Sequence, residues 1–258
     1  MKLTVCRRLA WAAGALALSG GAFAQTAAAP TSNATPDAKP AMVEPDYTLS
    51  WHVAGVSDYR YRGISQTRLN PTLQGGVDFG TKAGVYLGVW ASGIKWIRDA
   101  GGDARVEVDY YGGYKGSAGP ISYDVGVLHY QYTRNHLNPS ANTTELYAGA
   151  GWEMLNFKYS HSVTNLFGFA GSKNSGYYDL SATFDVGGGF SVVPHVGYQH
   201  VAHNRDFSNT DMSLGVSKDL YGFTLSAAVV AVSNKNYRSP DGRDLGRTGL
   251  VVGVKKVF

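Results

Sequence analysis

Three groups of residues in this 258-residue chain carry side chains able to do chemistry. The first is Ser160-His161-Ser162, with the residue types of a nucleophile and its base. A base must stand within hydrogen-bond reach of its nucleophile. In an extended segment adjacent side chains point to opposite faces, so His161 reaches neither hydroxyl without a bulge. His195, His200 and His203 are the closest group among the seven histidines, yet 195 and 203 stand eight apart, too far for obvious metal ligation. No phosphate-binding loop, dinucleotide fingerprint or calcium loop occurs, and no helical pattern follows Gly187–Gly189. No catalysis, cofactor or metal is therefore expected. The second group is Asp58, Arg60 and Arg62, on a tyrosine-flanked segment ending at Gly63. The third is the dispersed set Asp78, Glu107, Asp109, Glu145, Asp179, Asp185 and Asp211, with Arg105 and Lys158.

What unites the third group is parity. Leu73, Gly75, Val77 and Phe79 interleave with Gln74, Gly76 and Asp78; Val106, Val108 and Tyr110 with Arg105, Glu107 and Asp109. Leu146, Ala148, Ala150 and Trp152 interleave with Glu145, Tyr147 and Gly149, and Tyr178, Leu180 and Phe184 with Asp179, Thr183 and Asp185. A period of two means strands with one apolar and one polar face. Short turns fall at Thr81–Gly84, Gly116–Pro120, Glu153–Asn156, Gly187–Gly189 and Asp219–Gly222. Longer polar stretches fall near Tyr59–Asn70, Lys95–Ala104, Thr133–Thr143, Asn165–Gly176, Ala202–Thr210 and Asn234–Arg247. Five short turns alternating with six long loops predict twelve strands between Tyr47 and Phe258.

Composition narrows the class. Only 16% of residues are charged, while Gly reaches 33 and Tyr 17, a profile of many short strands rather than of disorder or a coiled coil. Lys2, Arg7 and Arg8 precede an apolar run, Leu9–Leu18, too short to span a bilayer, and Ala22-Phe23-Ala24 suits signal cleavage. Residues 1–24 are thus expected to be a signal peptide, 25–46 a disordered periplasmic arm or linker, and 47–258 the barrel domain. Three of the 23 basic residues leave with the signal and no acidic ones, lowering the net charge from +4 to +1. Nothing in that balance or in any motif points to nucleic acid. Cys6, the only cysteine, also leaves, so the mature chain has no disulfide.

Alternation alone also suits a soluble sandwich. The regular exchange of short turns and long loops, with an even strand number, is the pattern of an outer-membrane β-barrel. The chain ends on Phe258, on one face with Val254, Val252 and Leu250; Lys256 departs from that apolar face. Pro194, inside the strand Phe190–His200, predicts a bulge or kink. His161 shares the face of Phe157, Tyr159 and Val163, which means either a register slip or a neutral histidine among aromatic rings.

Val56–Gln66 (VSDYRYRGISQ), Asn70–Asp78 (NPTLQGGVD) and Gly84–Ser92 (GVYLGVWAS), with Tyr159–Ser162 less specifically, resemble the TorF-type porins of proteobacteria. The resemblance covers Trp51–Phe258 and implies an outer-membrane barrel with a channel role. It supplies no solute and no site residues. The terminal Phe258 resembles the signal read by the barrel assembly machinery. The expected protein is all-β, a transmembrane antiparallel up-and-down barrel of twelve strands in the outer membrane, surrounded by lipid and lipopolysaccharide. It is not an enzyme, and small polar or ionic solutes diffuse through it. A non-conducting structural or adhesive barrel is the alternative, with a barrel lipid hydrolase behind it. The polar-face set (Asp78, Arg105, Glu107, Asp109, Glu145, Lys158, Asp179, Asp185 and Asp211) is then expected to line the channel. Charge facing lipid at the bilayer midplane costs about 2–4 kcal/mol for Arg or Lys. Asp58, Arg60 and Arg62 are expected at the channel mouth, or else in a hairpin turned by Gly63 and locked by Arg–Asp pairs.

Overall fold

The computed structural model describes residues 45–258. The expected signal peptide, and the arm up to residue 44, lie outside the described residues. Twelve antiparallel strands close into a barrel. They are β1 (Tyr47–Val56), β2 (Thr72–Thr81), β3 (Val85–Gly93), β4 (Val106–Ala118), β5 (Ile121–Gln131) and β6 (Thr143–Trp152). There follow β7 (Leu155–Ser162), β8 (Gly176–Ala182 with Phe184–Gly187), β9 (Phe190–His200), β10 (Asn209–Leu220), β11 (Phe223–Val232) and β12 (Gly249–Val257). Each pairs with its sequence neighbour, and β12 pairs with β1 to close the ring, Gly55 opposite Val254. Every short turn and long loop expected from the sequence is a connection of this barrel, with all short turns at one end.

Solvent exposure is inverted relative to a soluble sandwich. Leu73 is 79% exposed on the outer wall, whereas Glu107 and Glu145 are each 1% exposed on the inner wall. Leu49, Val77, Leu87, Leu146, Leu214 and Leu250 continue the outer apolar surface around the ring. A belt of this extent would be unstable in water and is matched to hydrocarbon. Among the described residues no helix is long and apolar enough to cross a membrane; the crossing elements are strands.

The short-turn end carries aromatic pairs: Tyr47 stacks on Phe79 and Trp51 on Phe258, the latter with centroids 3.8 Å apart and planes 7° from parallel. Lys256 lies on the outer face, its ammonium 4.7 Å from the Phe223 ring and 5.1 Å from the Phe258 ring. That position explains how a cation is tolerated there, because the ring faces attract it at the level where polar headgroups begin. The Phe258 N–H donates to Trp51 O (2.8 Å) and the Trp51 N–H to Phe258 O (3.2 Å), so the last residue seals β12 to β1. Deleting Phe258 is expected to lower the yield of assembled barrel several-fold, read by heat-modifiable electrophoretic migration, while leaving the conductance of assembled molecules unchanged. Wild-type yield would remove the residue from assembly.

One sequence expectation is corrected and one pair of alternatives is decided. The bulge expected at Pro194 is absent from β9, which runs unbroken, Pro194 opposite Leu214 of β10. The cost falls on the other neighbour. Proline has no N–H to donate, and β8 is interrupted at Thr183 while keeping register, Ser181 opposite His195 before the gap and Phe184 opposite Val192 after it. Thr183 continues the β7 side of the ladder, its N–H donating to Met154 O (2.9 Å). At His161 there is no register slip: the ring faces outward beside Tyr159, 3.2 Å from its hydroxyl.

Candidate functional site

The chemistry converges inside the barrel, where the first long loop folds inward. Arg60–Tyr61 pairs antiparallel with Ile64–Ser65 to make a small inner hairpin. Its turn depends on Gly63 at φ +78° beside Arg62 at φ 45°, a left-handed pair that favours glycine. Asp58 holds the base together. It accepts from Arg60 Nε (2.5 Å), Ser65 Oγ (2.5 Å) and Thr67 Oγ1 (2.9 Å). Arg60 Nη1 donates to the carbonyls of Gly63 (3.0 Å), Leu245 (3.3 Å) and Arg247 (3.1 Å), tying the first long loop to the last. Asp58, Arg60 and Arg62 are all buried rather than standing free at the rim.

The tip of the hairpin reaches the wall. Arg62 Nη2 donates to both oxygens of Glu145 (2.9 and 2.7 Å), and Nη1 donates to Gln199 Oε1. The guanidinium carbon lies 4.3 Å from the Tyr177 ring centre and 4.7 Å from that of Tyr61. The hydroxyls of Tyr61 and Tyr130 meet at 2.8 Å, and Tyr130 donates onward to Glu145 (3.2 Å). Phe167, from the loop after β7, packs edge-on against Tyr61 and Tyr130. The hairpin is thus a polar and aromatic constriction in the long-loop half of the lumen.

Around it stand the carboxylates. Tyr59 donates its hydroxyl to Glu107 (3.0 Å). Burial, reinforced by Glu107 and Asp109, pushes the Tyr59 phenol well above its ordinary pKa and keeps it a neutral donor. Asp109, 2% exposed, has no hydrogen-bond partner at Oδ1. Asp179 and Asp211 bracket His195, at 3.1 Å from Nε2 and 3.7 Å from Nδ1, and Tyr177 donates to Asp211 (3.0 Å). Asp78 accepts from Tyr111 (2.5 Å) and lies 3.7 Å from His52. Lys158 holds its ammonium 4.3 Å from the Tyr147 ring. Asp185 sits near the short-turn end, where it accepts from the Gly187 N–H (2.9 Å). Arg105 precedes β4 and is exposed. Among the described residues no cluster of His, Cys, Asp and Glu could hold a metal ion.

The sequence reading missed much of the lining in the other half. Asp124 accepts from Tyr86 (2.5 Å), and Tyr86 also bonds Tyr147. Lys115 lies over the Tyr86 ring at 4.5 Å, and Lys255 alternates with the outward Val254 and Lys256. Parity would have found both lysines, since Lys115 shares the phase of Glu107 and Asp109 along β4. The tyrosines had no such signal without pairing. Tyr111 stands opposite Gly88, Tyr86 opposite Gly113 and Tyr147 opposite Gly126. A Cβ on any of those three glycines would lie within 2.6 Å of the facing tyrosine side chain. The rings therefore lie flat on glycine along the wall instead of projecting across the lumen, one shared cause of the high Gly and Tyr contents.

A family model described as "Bacterial protein of unknown function (Gcw_chp)" matches residues 40–258. No curated protein matches the chain. Among solved structures, the KdgM porin in complex with disordered oligogalacturonate superposes with a TM-score of 0.52 at 9% identity, covering 81% of this chain and 98% of that one. The NanC porin gives 0.51 at 9% identity with the same coverage. At such identity the likeness is one of fold.

Proposed function

We propose that this chain, which belongs to the Gcw_chp family of bacterial proteins, is an outer-membrane channel for passive diffusion of small polar or ionic solutes. The observation that carries this reading is the inner wall. It is charged and hydroxyl-lined, with aromatic rings laid flat, and is narrowed at one level by the hairpin. An aqueous path lowers the cost of moving a hydrated solute past hydrocarbon, and fixed charges bias what enters. The porin fold of the structural neighbours and the TorF-type resemblance both support it. On this reading residues 1–24 export the chain, the long loops face outside, lipid and lipopolysaccharide surround the wall, and Phe258 engages the barrel assembly machinery.

Planar-bilayer recording of the purified full-length protein tests it. Small, discrete conductance steps are expected, and their absence from folded barrels would reject the channel. One observation favours the rival structural reading: Arg62–Glu145 joins the hairpin tip to the wall while Arg60–Asp58 locks its base, so a barrel that never conducts would be a scaffold for its loops.

Selectivity is expected to favour cations mildly. Glu107, Asp109, Glu145, Asp179 and Asp211 line the long-loop half, with Arg60 and Arg62 on the hairpin and Lys158, opposite Asp179, as the opposing charges. The preference should fade as the Debye length falls from about 30 Å at 0.01 M salt to about 3 Å at 1 M. Asp78→Asn with Asp179→Asn, which removes the inner-wall carboxylates beside His52 and His195, should move the reversal potential in a salt gradient toward zero. Anion preference in the wild type, or an unmoved potential in the double variant, would refute the charge assignment.

A further inference from the structure

Arg62 occupies a site that the barrel wall builds by itself. Glu145 on β6 supplies the carboxylate, Gln199 on β9 an amide oxygen, and Tyr177 on β8 a ring under the cation. With Arg62 in place the three wall residues are 1%, 4% and 5% exposed, so the ion pair is desolvated, and all three stand on strands of the wall. A planar group with several N–H donors, placed over an aromatic face and against a carboxylate, is what this arrangement recognises. The occupant is tethered at the tip of a hairpin whose base is fixed by Asp58 and Arg60 but whose tip is held by the wall. The hairpin has two residues in each strand, and Arg62 sits in the left-handed region, disfavoured for a side chain. Its position therefore depends on what Arg62 and its neighbours find on the wall.

We infer that the Glu145–Gln199–Tyr177 pocket is a binding site for guanidinium-bearing cationic solutes, and that Arg62 is a tethered stand-in which such a solute displaces. This rests on the channel reading and deepens it: the solute class is set by the group that closes the path. Displacement exchanges one guanidinium for another at Glu145, so the buried carboxylate is never left uncompensated. Lys158, the nearest lysine on the neighbouring strand, already lies over the Tyr147 ring and presents an ammonium, without the planar donors that Gln199 and Glu145 engage together.

The test uses methylguanidinium in planar bilayers, with methylammonium and urea as matched probes. In Arg62→Ala the pocket is vacated, and methylguanidinium should block current at a concentration at least about tenfold below that needed in Arg62→Ala/Glu145→Gln, the scale of one charge-assisted hydrogen bond. In the wild type, methylguanidinium but not urea should raise the fraction of time open. Equal blocking concentrations in the two variants, or methylammonium acting as strongly as methylguanidinium, would overturn the site. If Arg62→Ala does not assemble, the wild-type open fraction decides, and no response to methylguanidinium overturns the proposal. If folded barrels pass no current at all, the channel reading fails. The pocket is then judged by the thermal shift of Arg62→Ala in detergent, where stabilisation by methylguanidinium absent from the double variant upholds it and no shift rejects it.

Discussion

Gly63→Ala is expected to expel the inner hairpin from the lumen and raise single-channel conductance without changing barrel assembly. A Cβ at this position would lie 2.3 Å from Val232 Cγ2 and 2.8 Å from Asp211 Cβ, both on strands of the wall. Neither atom is the far end of a flexible side chain, so the wall cannot yield cheaply. Overpacking of this kind costs about 1–3 kcal/mol, and a left-handed alanine adds about 1–2 kcal/mol. The combined penalty changes the ratio of docked to undocked hairpin by roughly two orders of magnitude at about 1.4 kcal/mol per tenfold. Gly119→Ala is the matched control. Its φ is +59° in a short turn and nothing lies within 4 Å of the added Cβ, so it introduces strain without a clash. An assembled Gly63→Ala barrel with wild-type conductance would take the hairpin out of the permeation path.

Asp58→Asn should have an effect of similar size through a different cause. Asp58 and Arg60 have side chains only 7% and 3% exposed, and the carboxylate also accepts from Ser65 and Thr67. The amide keeps the shape and one acceptor oxygen but removes the charge and turns the other acceptor into a donor, leaving the buried Arg60 guanidinium without a counter-charge. Breaking a buried ion pair by neutralising one partner costs about 3–5 kcal/mol. The hairpin base should then come undone while the barrel, closed by its own ladder, stays folded. Limited trypsin digestion of reconstituted protein reads this directly: cleavage after Arg60 or Arg62 is expected in the variant and not in the wild type. A variant as resistant as the wild type would show that Asp58 does not hold the hairpin.

The two experiments probe residues that a linear reading could quote but not place. Strand number and the facing of each strand follow from local facts. Side chains alternate across a strand whatever it pairs with, and short turns need particular residues at the turn itself. Glu107, Asp109, Glu145, Asp179 and Asp211 could therefore be placed on the polar face from parity alone, and the twelve strands counted from the alternation of connections. Even Lys256, which broke the apolar pattern, stayed on the outer face, because nothing short of a bulge reverses parity.

The inward fold of the first loop belongs to the tertiary structure. Arg62 meets Glu145 at a separation of 83 residues and Gln199 at 137, and Arg60 reaches the Leu245 carbonyl at 185. Those partners become neighbours only when β12 closes on β1, so no local pattern around Val56–Gln66 distinguishes a loop standing at the rim from one lying in the lumen. Pro194 shows the same division. Its missing N–H is a property of the sequence, but which chain is interrupted depends on which strand lies beside it, and that strand was β8. The tyrosines lying flat on Gly88, Gly113 and Gly126 are a third case. The sequence by itself determined a twelve-stranded wall with a charged interior, because alternation is a one-dimensional property of the backbone. What stands inside that wall was decided by closure, which brings distant segments within reach of a hydrogen bond.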